Sequence, residues 1–349
     1  LERDPDDATA RYQIALAFHE DGDREEASHW YEAQVARHPA SPRAWHNLGL
    51  LRLAGSDLPG AVAALREAET GTPASPSAWT ALGRALARAG DPAGAVDAWT
   101  RAHALDPRAV EPLERHAAQL GERSELPAAI ALLRDAIALD PRKASLRYAL
   151  AAHLSSLGEH GDALAELRAA VDLAPSDAAG HSALLFELQY DDALATSDAV
   201  AAEHRQWAER HADRLPHVAR RPRTRPPGRM RIGYLSPRFG PGPLATLFLP
   251  VLERHDRSAF EIVLYSAHLH EGAMNARYRA AADAWRDLPR DDASAAATIA
   301  DDDLDLLVDL AGHAPGNRLP VLARRPAPVQ ATWLDYFATT GMEGIDYFV

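Results

Sequence analysis

The residue types best suited to chemistry are concentrated near the end of the 349-residue chain. Asp309 is followed by Gly312, His313, Asn317 and Arg318, and then by Asp335 and the run Thr339-Thr340-Gly341. These types supply an imidazole that titrates near neutrality, carboxylates able to take a proton, a guanidinium for an anion, and hydroxyl donors. His313, set between two small residues, serves either as a structural hydrogen-bonding group or as a substrate contact. Asp309 and Asp335 are weak candidates for carboxylate bases, Asp309 reading as the inside end of a strand. The turn Pro237-Arg238-Phe239-Gly240-Pro241-Gly242-Pro243 runs into a helix, where backbone N–H groups can hold an anion. Its other reading is a rigid turn, since its prolines remove donors. His268-Leu269-His270-Glu271 has metal-ligand types, but such a loop reads as solvent-exposed and no metal is expected. The arginines between 220 and 225 read as a solvated linker rather than a phosphate-binding arm.

These residues need a scaffold, and the pattern from Arg231 onward predicts one. Residues 231–236, 260–266 and 304–310 read as strands, the last nearly continuously apolar as expected for burial on both faces. Shorter candidates lie at 328–334 and 345–349, with helices predicted over 244–254, 273–285 and 292–301. Strand–helix alternation with short links implies a parallel α/β sheet. Ligands bind such sheets in the loops beyond the strand C-termini, here 236–243, 266–272, 311–318 and 335–344. His313, Asn317, Arg318, Thr339 and Thr340 should therefore gather with the 240–243 turn at one sheet edge.

The first half of the chain repeats. Pro5, Pro39, Pro73, Pro107, Pro141 and Pro175 are spaced 34 residues apart, as are Ala27, Ala61, Ala95, Ala129 and Ala163. Ala15, Gly49, Gly83, Ala117 and Ala151 keep the same step, in phase with Tyr31, Leu65, Trp99, Leu133 and Leu167. This is the tetratricopeptide pattern of paired helices. The small residues let two backbones approach, the large one fills the space beside them, and proline closes the unit. Units stack into a superhelix with a concave groove. The residue before the Leu-Gly pair runs Gln13, Asn47, Ala81, Arg115, Ala149, with Asn47 the one asparagine of that column. The division expected is a repeat superhelix over 1–190, a helical connector and Pro/Arg-rich linker over 191–228, and an α/β lobe over 229–349.

Composition excludes several classes. A hydrophobic content of 47% with 25% charged residues is that of a globular protein. The net charge of -13 opposes a broad nucleic-acid-binding face, and no apolar run approaches a membrane span. There is no cysteine, which removes disulfides and thiolate–metal sites and fits a reducing, cytoplasmic setting. The opening Leu1-Glu2-Arg3-Asp4 reads as the tail of a preceding repeat, and the chain as a fragment at both ends.

The run "GHAPGNRL" over 312–319, continued by "RRPAPVQATWLDY" over 324–336 and "TTG" over 339–341, closely resembles the first catalytic lobe of glycosyltransferase family 41. That family is the O-linked N-acetylglucosamine transferase and SPINDLY group. The "RIGYLS" opening at 231 and "ERHDRSAFEIVLYS" at 253 match as well, and members place tetratricopeptide repeats ahead of this lobe. The resemblance implies an α-solenoid followed by a Rossmann-like lobe, the first half of a two-lobed GT-B glycosyltransferase. It implies inverting, metal-free transfer of a sugar, N-acetylglucosamine from UDP-GlcNAc, to Ser or Thr of protein acceptors held by the repeat groove, where Asn47 alone matches the asparagine ladder with which the family grips a peptide backbone. Gly240, Gly242, His313, Asn317, Arg318, Thr339, Thr340 and Gly341 then fall in the substrate and donor region. Two departures stand out. Gly242 occupies the position where the family usually carries a histidine beside the reacting centre, which leaves His313 as a weak candidate for the catalytic imidazole. The second lobe, which makes most donor contacts, does not lie within these residues. An enzyme portion inactive alone and a binding scaffold with a degenerate lobe are the two readings.

Overall fold

The computed structural model describes residues 7–70, 75–190, 197–220, 228–268 and 272–349. The chain divides into two compact units, Leu1–Leu157 and Gly158–Val349.

The first unit is a stack of helix pairs. They are α1 (Ala8–Glu20) with α2 (Arg24–Arg37), α3 (Pro42–Ala54) with α4 (Leu58–Glu69), and α5 (Pro76–Arg88) with α6 (Pro92–Leu105). α7 (Val110–Glu122) pairs with α8 (Leu126–Leu139), and α9 (Ala144–Ser156) follows. No strand occurs among the described residues before Met230. Local chemistry starts three of the second helices: Asp23, Asp57 and Asp91 cap α2, α4 and α6 by accepting from the backbone N–H of Glu26, Gly60 and Gly94. The small-residue column acts as expected, since a Cβ on Gly49 would collide with Leu65 and one on Gly83 with the Trp99 indole. Pro5 and Pro73 lie outside the described residues.

The second unit opens with α10 (His160–Leu173), α11 (Ala178–Glu187) and α12 (Ser197–His211). The sheet follows: β1 (Met230–Ser236), α13 (Pro243–Leu247), α14 (Leu249–Leu252), β2 (Phe260–Ser266), α15 (Ala273–Ala280) and β3 (Ala284–Asp287). Then come α16 (Asp292–Asp301), β4 (Leu306–Asp309), α17 (Leu319–Leu322), β5 (Val329–Thr332) and β6 (Tyr347–Phe348). All pairings are parallel and the strand order is β3-β2-β1-β4-β5-β6. This is a doubly wound sheet whose order reverses between β1 and β4, the place where such folds hold ligands.

Two expectations are corrected. The helix predicted over 273–285 stops at Ala280, and residues 284–287 form edge strand β3, paired in parallel with Val263 to Ser266. Trp285 is drawn there by packing on Phe239, with ring centroids 5.4 Å apart, and by the Arg279 guanidinium 4.1 Å over its ring. The helix predicted over 244–254 breaks at Phe248, because Pro250 has no N–H to continue the ladder. α10, α11 and α12 cluster with the sheet in the second unit. Of the linker, residues 221–227 lie outside the described residues.

Candidate functional site at the sheet switch point

The loop after β1 is anchored by its own aromatic. Phe239 is fully buried among Phe248, Tyr278 and Trp285, and its carbonyl accepts from Asn275 Nδ2 at 3.3 Å. Ser236 Oγ accepts from Arg238 N–H, and Gly240 N–H donates to the Arg238 carbonyl at 2.8 Å, so the turn is tight. Arg238 itself reaches across the edge. Its Nη2 donates to the Pro315 carbonyl at 3.2 Å and its Nη1 lies 3.4 Å from Asp335 Oδ2. One side chain thereby ties together the loops after β1, β4 and β5. His268, from the loop after β2, packs against Gly316.

The loop after β4 is closed by Asp309. Its Oδ2 accepts from Gly312 N–H at 2.6 Å and from the Thr332 hydroxyl at 3.1 Å. The residue is fully buried, and burial pushes its carboxyl up to about 6. Gly312 is left-handed (φ +51) with the Tyr336 side chain where a Cβ would project, so only glycine fits this turn. Asp309 is a turn clamp rather than a solvent-facing base.

His313 is also turned inward. It is 1% exposed. Its Nε2–H donates to the Thr340 carbonyl at 3.0 Å, which leaves Nδ1 to accept from the Ser182 hydroxyl of α11, also at 3.0 Å. The tautomer follows from the partners, because a carbonyl can only accept. Trp207, His204 and Tyr336 pack around the ring at 4.6, 5.2 and 5.3 Å. Burial depresses its pKa to about 3, so the ring is neutral. With both nitrogens engaged it has no lone pair to offer a substrate.

The loop after β5 is held from the same side. Tyr336 Oη donates to His204 Nε2 at 2.5 Å, since His204 Nδ1–H is given to the Val200 carbonyl, and lies 3.2 Å from the Leu185 carbonyl. Gly341 has φ +75, and a Cβ there would strike the His204 backbone carbonyl. Thr340 is buried, while Thr339 Oγ1 accepts from Gly341 N–H at 3.1 Å. Leu334 and Asp335 are consecutive left-handed residues, φ +63 and +52. Strain of this kind concentrates where ligands bind.

The structure thus brings His313, Thr340 and Gly341 together, but against α11 and α12. Asn317 makes a local turn, its Nδ2 donating to the Ala314 carbonyl at 3.1 Å. Arg318 is pinned to Asp292 Oδ1 at 2.7 Å and to the carbonyls of Pro289 and Arg290. Sequence reasoning missed Arg238, Tyr336, His204 and Ser182 as the groups that set the loops. Of the candidate metal trio, His270 and Glu271 lie outside the described residues. No group of three or more His, Asp or Glu among the described residues can hold a metal. In the repeats, Asn47 donates from Nδ2 to the Tyr12 and Tyr31 hydroxyls at 3.1 and 2.9 Å.

The family model of glycosyl transferase family 41 matches residues 173–349, from the end of α10 onward. The chain belongs to glycosyl transferase family 41. Tetratricopeptide models match 12–77, 46–110 and 116–178. A probable UDP-N-acetylglucosamine–peptide N-acetylglucosaminyltransferase SPINDLY of Arabidopsis thaliana is 33% identical over 175 residues, 48% of this chain and 19% of that protein. A UDP-N-acetylglucosamine–peptide N-acetylglucosaminyltransferase of Caenorhabditis elegans is 33% identical over 124 residues, 35% of this chain and 11% of that one. A mutant of the Thermobaculum terrenum O-GlcNAc transferase superposes with a TM-score of 0.68 at 36% identity, covering 78% of this chain and 53% of its own. The chain therefore spans about a fifth of the Arabidopsis relative and about half of the Thermobaculum one.

Gly242 has φ +139 and ψ -170, a region reserved for glycine. A Cβ there would meet nothing within 4 Å, so the backbone, not space, excludes a side chain. Asp335 is left-handed (φ +52) without being glycine, a conformation that strains a side chain.

Proposed function

We propose that this chain supplies the acceptor-binding repeats and the first lobe of a cytoplasmic protein O-glycosyltransferase. The reaction is metal-free transfer of N-acetylglucosamine from UDP-GlcNAc to Ser or Thr. The observation that carries the reading is the family 41 match over 173–349 on a doubly wound sheet whose loops converge at the β1/β4 switch point. The names of the relatives support the donor and the peptide acceptor. No described helix is long and apolar enough to cross a membrane. The chain alone should not turn over, because each charge-assisted hydrogen bond from a second lobe to the diphosphate is worth about 1.5–3 kcal/mol. An open lobe also leaves the reacting centre in water.

The test is incorporation of radiolabelled GlcNAc into protein acceptors, by this chain and by a version joined to a second α/β lobe. Turnover by the chain alone would refute the need for that lobe. A two-lobed protein that binds UDP-GlcNAc and transfers nothing sinks the transferase reading. The second reading, a scaffold with a degenerate lobe, is favoured by the Gly242 backbone and by the inward His313. It predicts that the two-lobed protein stays inactive until Gly242→His is combined with a change in loop conformation.

A further inference from the structure

Of the two imidazoles on the described loops at the C-terminal edge of the sheet, His313 is sealed in and His268 is exposed. The backbone of His268 is fixed. Ser266 Oγ donates to its carbonyl at 2.5 Å, and Ala267 N–H donates to the Ser236 carbonyl at 3.1 Å. Ser266 is buried at the end of β2, so this anchor belongs to the sheet. The ring lies over left-handed Gly316, where a Cβ would stand 3.0 Å from His268 Nε2 and 3.3 Å from Pro237 Cβ. The loops after β1, β2 and β4 therefore meet at this ring, and glycine at 316 leaves the room it occupies. Neither ring nitrogen has a hydrogen-bond partner among the described residues. A neutral imidazole so placed keeps a lone pair for a proton.

The other groups at this edge that could take a proton are committed elsewhere. Asp309 is fully buried and clamps its own turn. Asp335 is set against Arg238, and Asp292 is held by Arg318. Glu343 stands beside Asp213, at the far end of its loop. Arg238 carries donors only.

We propose that His268 is the catalytic base that takes the proton of the acceptor hydroxyl. This rests on the transferase reading and names the group that completes the step. The Ser or Thr oxygen forms its bond to the anomeric carbon of the sugar as the bond from that carbon to the diphosphate oxygen breaks. The bonding pair leaves with UDP, and the hydroxyl proton passes to the open nitrogen of the His268 ring. A base within hydrogen-bond reach of the attacking oxygen is what such a step requires.

The test is steady-state transfer from UDP-GlcNAc to a Ser/Thr peptide by the two-lobed protein. His268→Ala and His268→Gln should each lower kcat by about 10²–10⁴-fold, with the KM for UDP-GlcNAc and the melting temperature unchanged. Glutamine can still hydrogen-bond but cannot accept the proton, so it separates a base from a positioning contact. Imidazole added to the buffer should restore part of the transfer by His268→Ala. Unchanged kcat in either variant, or a loss confined to KM, would overturn the assignment and leave the transferase reading intact. Loss of kcat in Asp335→Asn with full turnover in His268→Gln would move the proton to the carboxylate instead. A two-lobed protein with His268 in place that binds UDP-GlcNAc and transfers nothing would overturn the transferase reading and this step with it.

Discussion

The ring of His313 is held at both nitrogens, Nδ1 by the Ser182 hydroxyl and Nε2 by the Thr340 carbonyl, inside a packed set of aromatic rings. A group so placed orients two loops at once, the one it sits on and the one whose carbonyl it binds. Ser182→Ala leaves a buried nitrogen without a donor and should cost about 1–3 kcal/mol of stability. Urea unfolding of the variant measures this directly. An unchanged midpoint would show that the ring is not clamped and would reopen a role for it toward substrate. Arg238 works at the same scale from the other side of the edge, one guanidinium spanning Pro315 and Asp335.

Among the elements, the turns between paired helices share one demand. The residue before the Asp or Glu that opens each second helix is left-handed: Gly22, Gly90 and Gly158 with φ +79 to +82, but Ser56 and Ser124 with φ +65 and +61. A Cβ in that region is strained, whereas glycine is not. Ser56→Gly and Ser124→Gly should each stabilise the protein by about 0.5–1 kcal/mol. Differential scanning calorimetry should show a higher midpoint for each, and a larger shift for both together. A lower midpoint would mean that the serine side chains contribute more than the strain removes. The sheet loops show the same logic at Gly312 and Gly341, where neighbouring chain fills the place of a side chain.

Across the whole molecule, acid should act first on the second unit. His181 and His313 are each about 1% exposed, with pKa values depressed to about 4 and about 3 by burial, and His204 and His211 shift the same way. The unfolded chain binds these protons near pH 6.5 and the folded chain does not, so stability is held above that pH and lost as pH falls toward 4. Asp309 opposes the trend, since its raised pKa of about 6 lets the folded state take up a proton first. Asp213 and Asp335 are raised by burial as well and offset part of the effect. The buried imidazoles outnumber them in this unit, so stability should fall as pH drops from 6 to 4. Hydrogen exchange against pH should show α11, α12 and the 311–318 and 335–344 loops losing protection first. Equal protection at pH 7 and pH 4.5 would contradict the burial of this cluster.

The repeats were legible in the sequence because each helix pair meets its neighbour through the same contacts every 34 residues, so Gly49 and Leu65 announce what Gly83 and Trp99 repeat. Strands β1 and β2 and helix α16 were legible for a related reason: burial on one face or both imposes a period on the chain. Edge strand β3 was not, because four residues half-open to solvent carry no period, and Trp285 is placed by Phe239 and Arg279 rather than by its neighbours in the chain. The candidate site divides the same way. The sequence by itself determined the family, the sheet and the loops that must converge at its C-terminal edge. Only the tertiary structure decided which way each side chain faces there. His313 and Ser182 are 131 positions apart and Tyr336 and Leu185 are 151 apart, so nothing local distinguishes a clamp from a catalytic ring. The left-handed backbone at Gly242 and the exposed ring of His268 are likewise set by what packs around them. A residue's type states which bonds it can make, and the packed chain determines which partners are within reach.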